Sequence, residues 1–133
     1  MVTAQEKPTP TKGIAKTTGN VLIIEDDPDT ATVIATTLIK EGYGARTVST
    51  RDEAVKVLSR YLYDVIIMDL YMAGMGPDEF VKKAKSLYPR SKVILITAIE
   101  SVDKQASRLG ICQWIGKPFD PDQLLGAVCK CLS

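Results

Sequence analysis

The chain has 133 residues, of which 45% are hydrophobic and 25% are charged, and its formal net charge is +1. This length predicts a single globular domain that can bury a core of its own. No apolar run approaches the roughly 20 residues that span a membrane, and the balanced charge leaves no basic face for direct nucleic-acid binding.

The first segment of the chain differs in composition from the rest. Residues 1–19 are rich in Thr, Lys, Pro and Gly and offer almost nothing to bury. Such a composition predicts a disordered N-terminal tail rather than a targeting segment. The folded domain is therefore expected to cover residues 20–133.

Five short apolar runs follow the tail at regular intervals. Runs of this length predict β-strands, and the first, third and fourth are apolar almost throughout, as in strands buried on both faces. The second is shorter and more polar, which is typical of an edge strand. The predicted strands are Val21–Glu25, Ala45–Val48, Val65–Asp69, Val93–Thr97 and Cys112–Ile115.

Five helices are predicted after these strands, because apolar residues recur there three and four positions apart. Gly42 is placed to end the first helix, Pro77 suits the first turn of the third, and Thr50-Arg51-Asp52-Glu53 has a capping-box pattern before the second. Five strand–helix units joined by right-handed crossovers predict an α/β doubly wound fold, with a parallel sheet covered on both faces. The helical positions are Ala31, Ile34, Ala35 and Leu38; Ala54, Val57, Leu58 and Tyr61; Phe80, Ala84 and Leu87; Val102, Ala106 and Leu109; and Leu124, Leu125, Val128 and Leu132.

Polar residues follow the carboxyl ends of four predicted strands. In an open parallel sheet these ends share one edge, where ligands bind at the point at which the winding direction switches. A cluster of carboxylates there normally needs a compensating cation or a helix end nearby, because like charges at close range repel. Mg²⁺ is a hard ion that carboxylate and phosphate oxygens hold well. The residues predicted to converge are Glu25, Asp26, Asp69, Thr97 and Lys117.

The three cysteines, Cys112, Cys129 and Cys131, lie close to the end of the sequence. An odd number of cysteines without a signal peptide argues against a disulfide framework. The chain has no histidine with which they could complete a zinc site. We therefore expect unpaired thiols and a reducing, cytoplasmic compartment.

The motifs IIEDD, VIIMDL, ILITA and IGKPF occur in this order within residues 20–133. Together they resemble the receiver (CheY-like) domain of two-component response regulators. The resemblance implies a (βα)5 flavodoxin-like sandwich with strand order 2-1-3-4-5, phosphorylated by a sensor histidine kinase or a histidine phosphotransfer protein. It also implies no enzymatic turnover beyond autophosphorylation from small donors and self-dephosphorylation. An unidentified effector would read the face formed by the fourth helix, fifth strand and fifth helix.

The resemblance also implies a role for each site residue. Their types suit the chemistry, because Asp69 can act as a nucleophile once a cation offsets the repulsion, and Lys117 can neutralise charge on the transferred group. Asp27 or Asp29 is expected to cap the first helix. The implied roles are Asp69 as phosphoacceptor, Thr97 and Lys117 as contacts of the phosphoryl oxygens, Glu25, Asp26, Asp69 and the Tyr71 backbone carbonyl as Mg²⁺ ligands, and Thr97 and Trp114 as switch residues.

Several positions depart from the family pattern. Ala73 replaces the usual proline four residues after the phosphoacceptor, and Gly76-Pro77 replaces the usual Asp-Gly before the third helix. Trp114 stands where a Tyr or Phe is common, and its larger indole is expected to restrict inward motion. The bulky Tyr71 and Ile99 would flank a phosphoryl group and predict its slow hydrolysis.

Two other functions with a similar fold or chemistry fit these residues less well, and a third remains as an alternative. A flavodoxin-type FMN binder needs a Ser/Thr/Gly-rich phosphate loop after the first strand, where the acidic segment 25–29 would repel phosphate. An aspartate-nucleophile phosphatase typically carries a second Asp where Tyr71 stands. A receiver-like protein-binding module that works without phosphorylation remains the alternative, and the acidic residues after the first strand would then only cap a helix.

Overall fold

The structure is a computed structural model that describes residues 19–98 and 110–133. The strands are β1 (Asn20–Ile24), β2 (Gly44–Val48), β3 (Val65–Asp69), β4 (Lys92–Ala98) and β5 (Gln113–Lys117). The helices in these ranges are α1 (Pro28–Lys40), α2 (Arg51–Leu58), α3 (Pro77–Leu87) and α4 (Pro121–Leu132). None of the helices within the described ranges is long and apolar enough to cross a membrane.

The five predicted strands are confirmed, with ends that differ by at most two residues from the prediction. Four of the five predicted helices are also confirmed, and α4 is the predicted fifth helix. The predicted fourth helix, marked by Val102, Ala106 and Leu109, lies outside the described residues, as do residues 1–18 of the predicted tail.

The strands form one parallel sheet in the order β2-β1-β3-β4-β5, as predicted. The register pairs Ile24 with Met68 and Asp69 with Ile96, so β1, β3 and β4 end at the same edge of the sheet. Ala98 pairs with Lys117 at the end of β5. This register brings together Glu25, which follows β1, and Asp69 and Lys117, which end β3 and β5.

Alternate residues of the central strands point to opposite faces of the sheet, since side chains in a strand have a period of two. Leu22 and Ile24 pack into a cluster with residues of α2 and α3. Val21 and Ile23 pack into a second cluster with residues of α1 and α4. The sheet therefore separates two hydrophobic layers, which explains why β1 and β3 are apolar on both faces.

The capping hydrogen bonds at the starts of α1 and α2 are as predicted, except that the Glu53 side chain has a different partner. Asp27 caps α1, because its carboxylate accepts a hydrogen bond from the Thr30 amide at 3.0 Å. Thr50 Oγ1 accepts from the Glu53 amide at 3.0 Å, which confirms half of the capping box. The Glu53 carboxylate accepts from the Ser49 amide at 3.2 Å instead of the Thr50 amide, so the box closes one residue earlier.

Two predicted helical positions need correction. Tyr61 lies beyond the end of α2 at Leu58, because the chain turns there before β3. Leu87 is in α3 as predicted, but its side chain is 44% exposed, because it lies in the last turn of a helix whose buried face is formed by other residues.

The expectation that all three cysteines are unpaired is wrong. Cys112 and Cys131 form a disulfide bond that joins the start of β5 to α4, with Cα atoms 6.1 Å apart. Their separation of 19 residues gives no sign of this proximity, which arises because α4 packs back along β5. Cys129 remains a free, exposed thiol, as expected.

Candidate phosphoacceptor site

Three carboxylates meet at the carboxyl edge of the sheet. Glu25 and Asp69 are only 4% and 7% exposed, whereas Asp26 is exposed. One carboxylate oxygen from each lies within 4.8 Å of the others. The structure thus brings together the three side chains that were predicted as metal ligands.

Lys117 reaches this cluster from the end of β5. Its Nζ donates to Asp69 Oδ2 at 2.7 Å and lies 3.5 Å from Glu25 Oε1. The lysine side chain is 35% exposed, whereas the carboxylate side chains are almost entirely buried. Lys117 therefore neutralises part of the negative charge from the solvent side.

Backbone amides orient the two buried carboxylates. The Asp27 amide donates to Glu25 Oε2 at 3.1 Å, and the Tyr71 amide donates to Asp69 Oδ1 at 3.2 Å. Each carboxylate thus has one oxygen toward a main-chain amide and the other toward Lys117. Such charge-assisted hydrogen bonds are stronger than neutral ones and hold the carboxylates in a fixed orientation.

The pKa shifts at the site reflect burial and the close contact between the carboxylates and Lys117. Burial, and to a smaller extent the charge of Asp69, raises the pKa of the Glu25 carboxyl, despite the opposing hydrogen bond from the Asp27 amide. Burial alone would lower the pKa of the Lys117 ammonium, but its hydrogen bond to Asp69 and the two neighbouring charges outweigh that effect and raise it. The pKa of the Glu25 carboxyl and that of the Lys117 ammonium are thus both raised, the first mainly by burial and the second by the contacts of Lys117 with the two carboxylates.

The donor set fits Mg²⁺. Three carboxylate oxygens within 4.8 Å of one another are the hard ligands that this ion prefers. A divalent cation would also relieve the repulsion between Glu25 and Asp69, which adds to the effect of burial on the pKa of Glu25. Tyr71, the predicted carbonyl ligand, lies in the same loop, with its amide already bound to Asp69.

Thr97 and Trp114 occupy neighbouring strands. Thr97 is 1% exposed, and its hydroxyl has no hydrogen-bond partner among the residues that the structure describes. It follows Ile96, the residue that pairs with Asp69, at the edge of the sheet where the cluster lies. A buried hydroxyl without a partner has the capacity to bind a ligand oxygen. Trp114 lies on β5 and is 46% exposed. Ile99, named with Tyr71 as a flanking residue, lies outside the described residues.

One residue beneath the site was not identified from the sequence. Arg51, the first residue of α2, is 1% exposed and donates to the backbone carbonyls of Asp69, Leu70 and Met75. In the sequence it stands inside a capping-box pattern, where arginine usually points to solvent. No local signal distinguishes it, because its partners follow β3 along the chain.

Comparison with known proteins agrees with this geometry. The chain matches the family model described as the response regulator receiver domain over residues 21–129. It is 31% identical over 112 residues to the response regulator protein FleR of Pseudomonas aeruginosa, covering 83% of this chain and 24% of FleR. The chain thus spans about a quarter of the length of this curated relative.

Solved structures show the same architecture. The chemotaxis response regulator CheY4 of Vibrio cholerae has a TM-score of 0.76 and 28% identity, covering 84% of this chain and 97% of that one. A response regulator of Burkholderia pseudomallei, solved with a phosphorylated aspartic acid, a calcium ion and citrate, has a TM-score of 0.71 and 25% identity. The match covers 81% of this chain and 65% of the Burkholderia protein.

Proposed function

We propose that this chain, which belongs to the family of response regulator receiver domains, accepts a phosphoryl group on Asp69 in the presence of Mg²⁺. One observation carries the proposal: the nearly buried Asp69 carboxylate lies 2.7 Å from the Lys117 ammonium and within 4.8 Å of the oxygens of Glu25 and Asp26. The Burkholderia pseudomallei protein described above, with its phosphorylated aspartic acid and calcium ion, supports the same chemistry.

The donor in the proposed reaction is a phosphohistidine of a sensor histidine kinase or of a histidine phosphotransfer protein. An Asp69 oxygen forms a bond to phosphorus while the bond from phosphorus to the histidine nitrogen breaks. The electron pair of the broken bond stays on that nitrogen. If the other ring nitrogen carries a proton, the ring leaves as neutral imidazole; if it does not, the ring takes up a proton from solvent to become neutral. Asp69 reacts as the carboxylate, so no proton has to leave it first.

Four side chains besides that of Asp69 would assist this transfer. Lys117 already lies against Asp69 and would neutralise charge on a phosphoryl oxygen, and the buried Thr97 hydroxyl would donate a hydrogen bond to another. Glu25, Asp26 and Asp69, with the Tyr71 carbonyl, would hold Mg²⁺. Bound Mg²⁺ supplies positive charge next to the transferred oxygens.

In this proposal the domain is a signalling switch rather than an enzyme that turns over a substrate. Phosphorylation would bias the packing around Thr97 and Trp114, and an unidentified effector would read β5, α4 and the predicted fourth helix. We propose a cytoplasmic location because the kinase partner acts there. The cysteines do not support this location, since Cys112 and Cys131 are bonded to each other. We propose no direct contact of this chain with nucleic acid or with a membrane.

The test is phosphorylation by acetyl phosphate, read by intact mass, with Mg²⁺ and after its removal by EDTA. We expect one added phosphoryl group on the wild-type protein, none after EDTA and none on an Asp69→Asn variant. Asp122→Asn, which removes an exposed carboxylate in the first turn of α4, is the matched control and should be phosphorylated normally. A folded wild-type protein that takes no phosphate would overturn the proposal and favour the phosphorylation-independent binding module.

A further inference from the structure

Arg51 forms a fork beneath the phosphoacceptor. Its Nη2 donates to the carbonyl oxygens of Asp69 and Leu70 at 2.8 and 2.6 Å, and its Nη1 donates to that of Met75 at 2.8 Å. Its Nε lies 3.3 Å from the sulfur of Met68. One side chain of α2 thus binds both ends of the loop that joins β3 to α3.

These partners are neutral, which is unusual for a buried guanidinium, because buried charges are ordinarily paired. Burial lowers the pKa of Arg51, and the nearby charge of Asp69 opposes this shift. The positive charge of Arg51 and the negative charge of Asp69 therefore stabilise each other at the end of β3. The arginine lies on the core side of the cluster and Lys117 on the solvent side.

The loop itself has few internal constraints. It contains Gly74 at a φ of +92°, and Ala73 where a proline would have restricted the backbone. A Cβ added at Gly74 would lie 3.2 Å from a carboxylate oxygen of Asp52, so the loop passes close to the first turn of α2. Contacts with α2 thus help to set the conformation of the loop, together with the hydrogen bonds that the Leu70 and Tyr71 amides donate to Ile96 and Asp69.

We propose that Arg51 is a positioning residue for the phosphoacceptor. By fixing the carbonyls on either side of the loop, it holds the Asp69 carboxylate and the Tyr71 amide and carbonyl where Mg²⁺ binding and phosphoryl transfer need them. Lysine cannot replace it, because an ammonium group lacks the planar fork that serves three carbonyls at once. The inference rests on the proposed function of Asp69.

The experiment compares the wild-type protein with Arg51→Lys and Arg51→Met. Arg60→Lys, which changes an exposed arginine just after α2, is the matched control. Calorimetric titration gives the Kd for Mg²⁺, intact mass gives the rate of phosphorylation by acetyl phosphate at saturating Mg²⁺, and thermal melting reports the fold. Changing a residue that only orients a metal ligand typically weakens metal affinity or activity by about 10- to 100-fold. We expect losses of about tenfold in both quantities for Arg51→Lys, and more for Arg51→Met.

The outcomes separate the two ideas. If the wild type binds no Mg²⁺ and takes no phosphate, the proposed function fails and the role of Arg51 fails with it. If the wild type works and Arg51→Lys lowers only the Tm, leaving Kd and rate unchanged well below the Tm, the arginine is structural and the inference is wrong. Loss of both quantities in a folded Arg51→Lys protein, with Arg60→Lys normal, supports it.

A measurement on the unaltered protein covers variants that do not fold. The Nε–H of Arg51 is buried, so its ¹⁵N-edited NMR signal should exchange slowly with solvent. The signal should shift as Mg²⁺ is added to saturation, while the signal of Arg60 does not. An Arg51 signal that stays in place while Mg²⁺ binds would overturn the positioning role.

Discussion

Replacing Lys117 by methionine is expected to separate metal binding from phosphoryl transfer. The Lys117 ammonium lies 2.7 Å from Asp69 Oδ2 and 3.5 Å from Glu25 Oε1, so it occupies oxygens that Mg²⁺ would share. Methionine keeps most of the side-chain length and removes the charge. We expect tighter Mg²⁺ binding together with slower phosphorylation.

The size of the effect follows from the geometry. At an effective dielectric constant near 20, the Lys117 ammonium and each of the two carboxylates attract by roughly 5 kcal/mol. Because the lysine side chain is 35% exposed, solvent screening and side-chain entropy reduce this strongly, as they do in exposed ion pairs. If about 1.4 kcal/mol of the attraction between Lys117 and the carboxylates remains after this reduction, its removal lowers the Kd for Mg²⁺ about tenfold, because the metal no longer competes with the ammonium. Removing a group that stabilises transition-state charge slows phosphorylation by about 100-fold or more.

Calorimetric Mg²⁺ titration and acetyl phosphate kinetics measure the two effects on the same preparation. Lys83→Met, which alters an exposed lysine of α3, is the matched control and should change neither quantity. A folded Lys117→Met protein with equal or weaker Mg²⁺ affinity would show that ammonium and metal do not compete. The electrostatic reasoning would then be refuted.

Three further predictions concern stability. Ile34→Ala should lower the free energy of unfolding by about 2–5 kcal/mol because it leaves a cavity at a fully buried position of α1. Ile39→Ala, at a position 56% exposed, should change the free energy of unfolding by about 0.5 kcal/mol or less. Urea unfolding measures both values. Reducing the Cys112–Cys131 bond, which closes a loop with a sequence separation of 19, should lower the free energy of unfolding by about 3 kcal/mol. Asp27→Ala should lower the Tm at neutral pH, and this difference from wild type should shrink in acid. Hydrogen bonds from the Thr30 hydroxyl and amide lower the pKa of the Asp27 carboxyl below 3.8. The stability that this carboxylate gives the folded state is therefore complete above pH 3.8 and is lost as the pH falls through the lowered pKa.

Each of these predictions has a control. Cys112→Ser should make stability insensitive to reductant, and a wild-type protein that is equally insensitive would contradict the bond. Asp27→Asn keeps a capping oxygen that does not titrate, so its Tm difference from Asp27→Ala should persist in acid. Equal effects of Ile34→Ala and Ile39→Ala would contradict the buried face assigned to α1.

Much of the fold could be predicted because the signals are local. The first, third and fourth strands are apolar almost throughout, and glycine and capping residues mark the helix ends. The convergence of Glu25, Asp69 and Lys117 could also be predicted, since each lies at the end of a strand or just after it and parallel strands end at one edge. For these residues, position along the chain determines position in space.

The features that sequence reasoning missed depend on contacts between distant segments. Arg51 reads as part of a helix cap, and only the fold reveals that it turns inward to the carbonyls that follow β3. The proximity of Cys112 to Cys131 depends on how α4 packs along β5. Cys131 follows the period of the buried face of α4, but that period does not indicate a bond to Cys112, and Arg51 belongs to no apolar pattern. These contacts can therefore be assigned only from the tertiary structure.

The division of the core by the sheet determines how substitutions combine. Ile23 and Ile24 are adjacent in the chain, yet they belong to different hydrophobic layers, and no buried residue is common to the two clusters. Coupling between substitutions at the two positions therefore has to pass through the backbone they share. A gap opened at Ile23 can be filled from its own layer, for example by a changed side chain at Ile67, its partner on β3. In evolution, each layer of this protein can thus be repacked while the other is left unchanged.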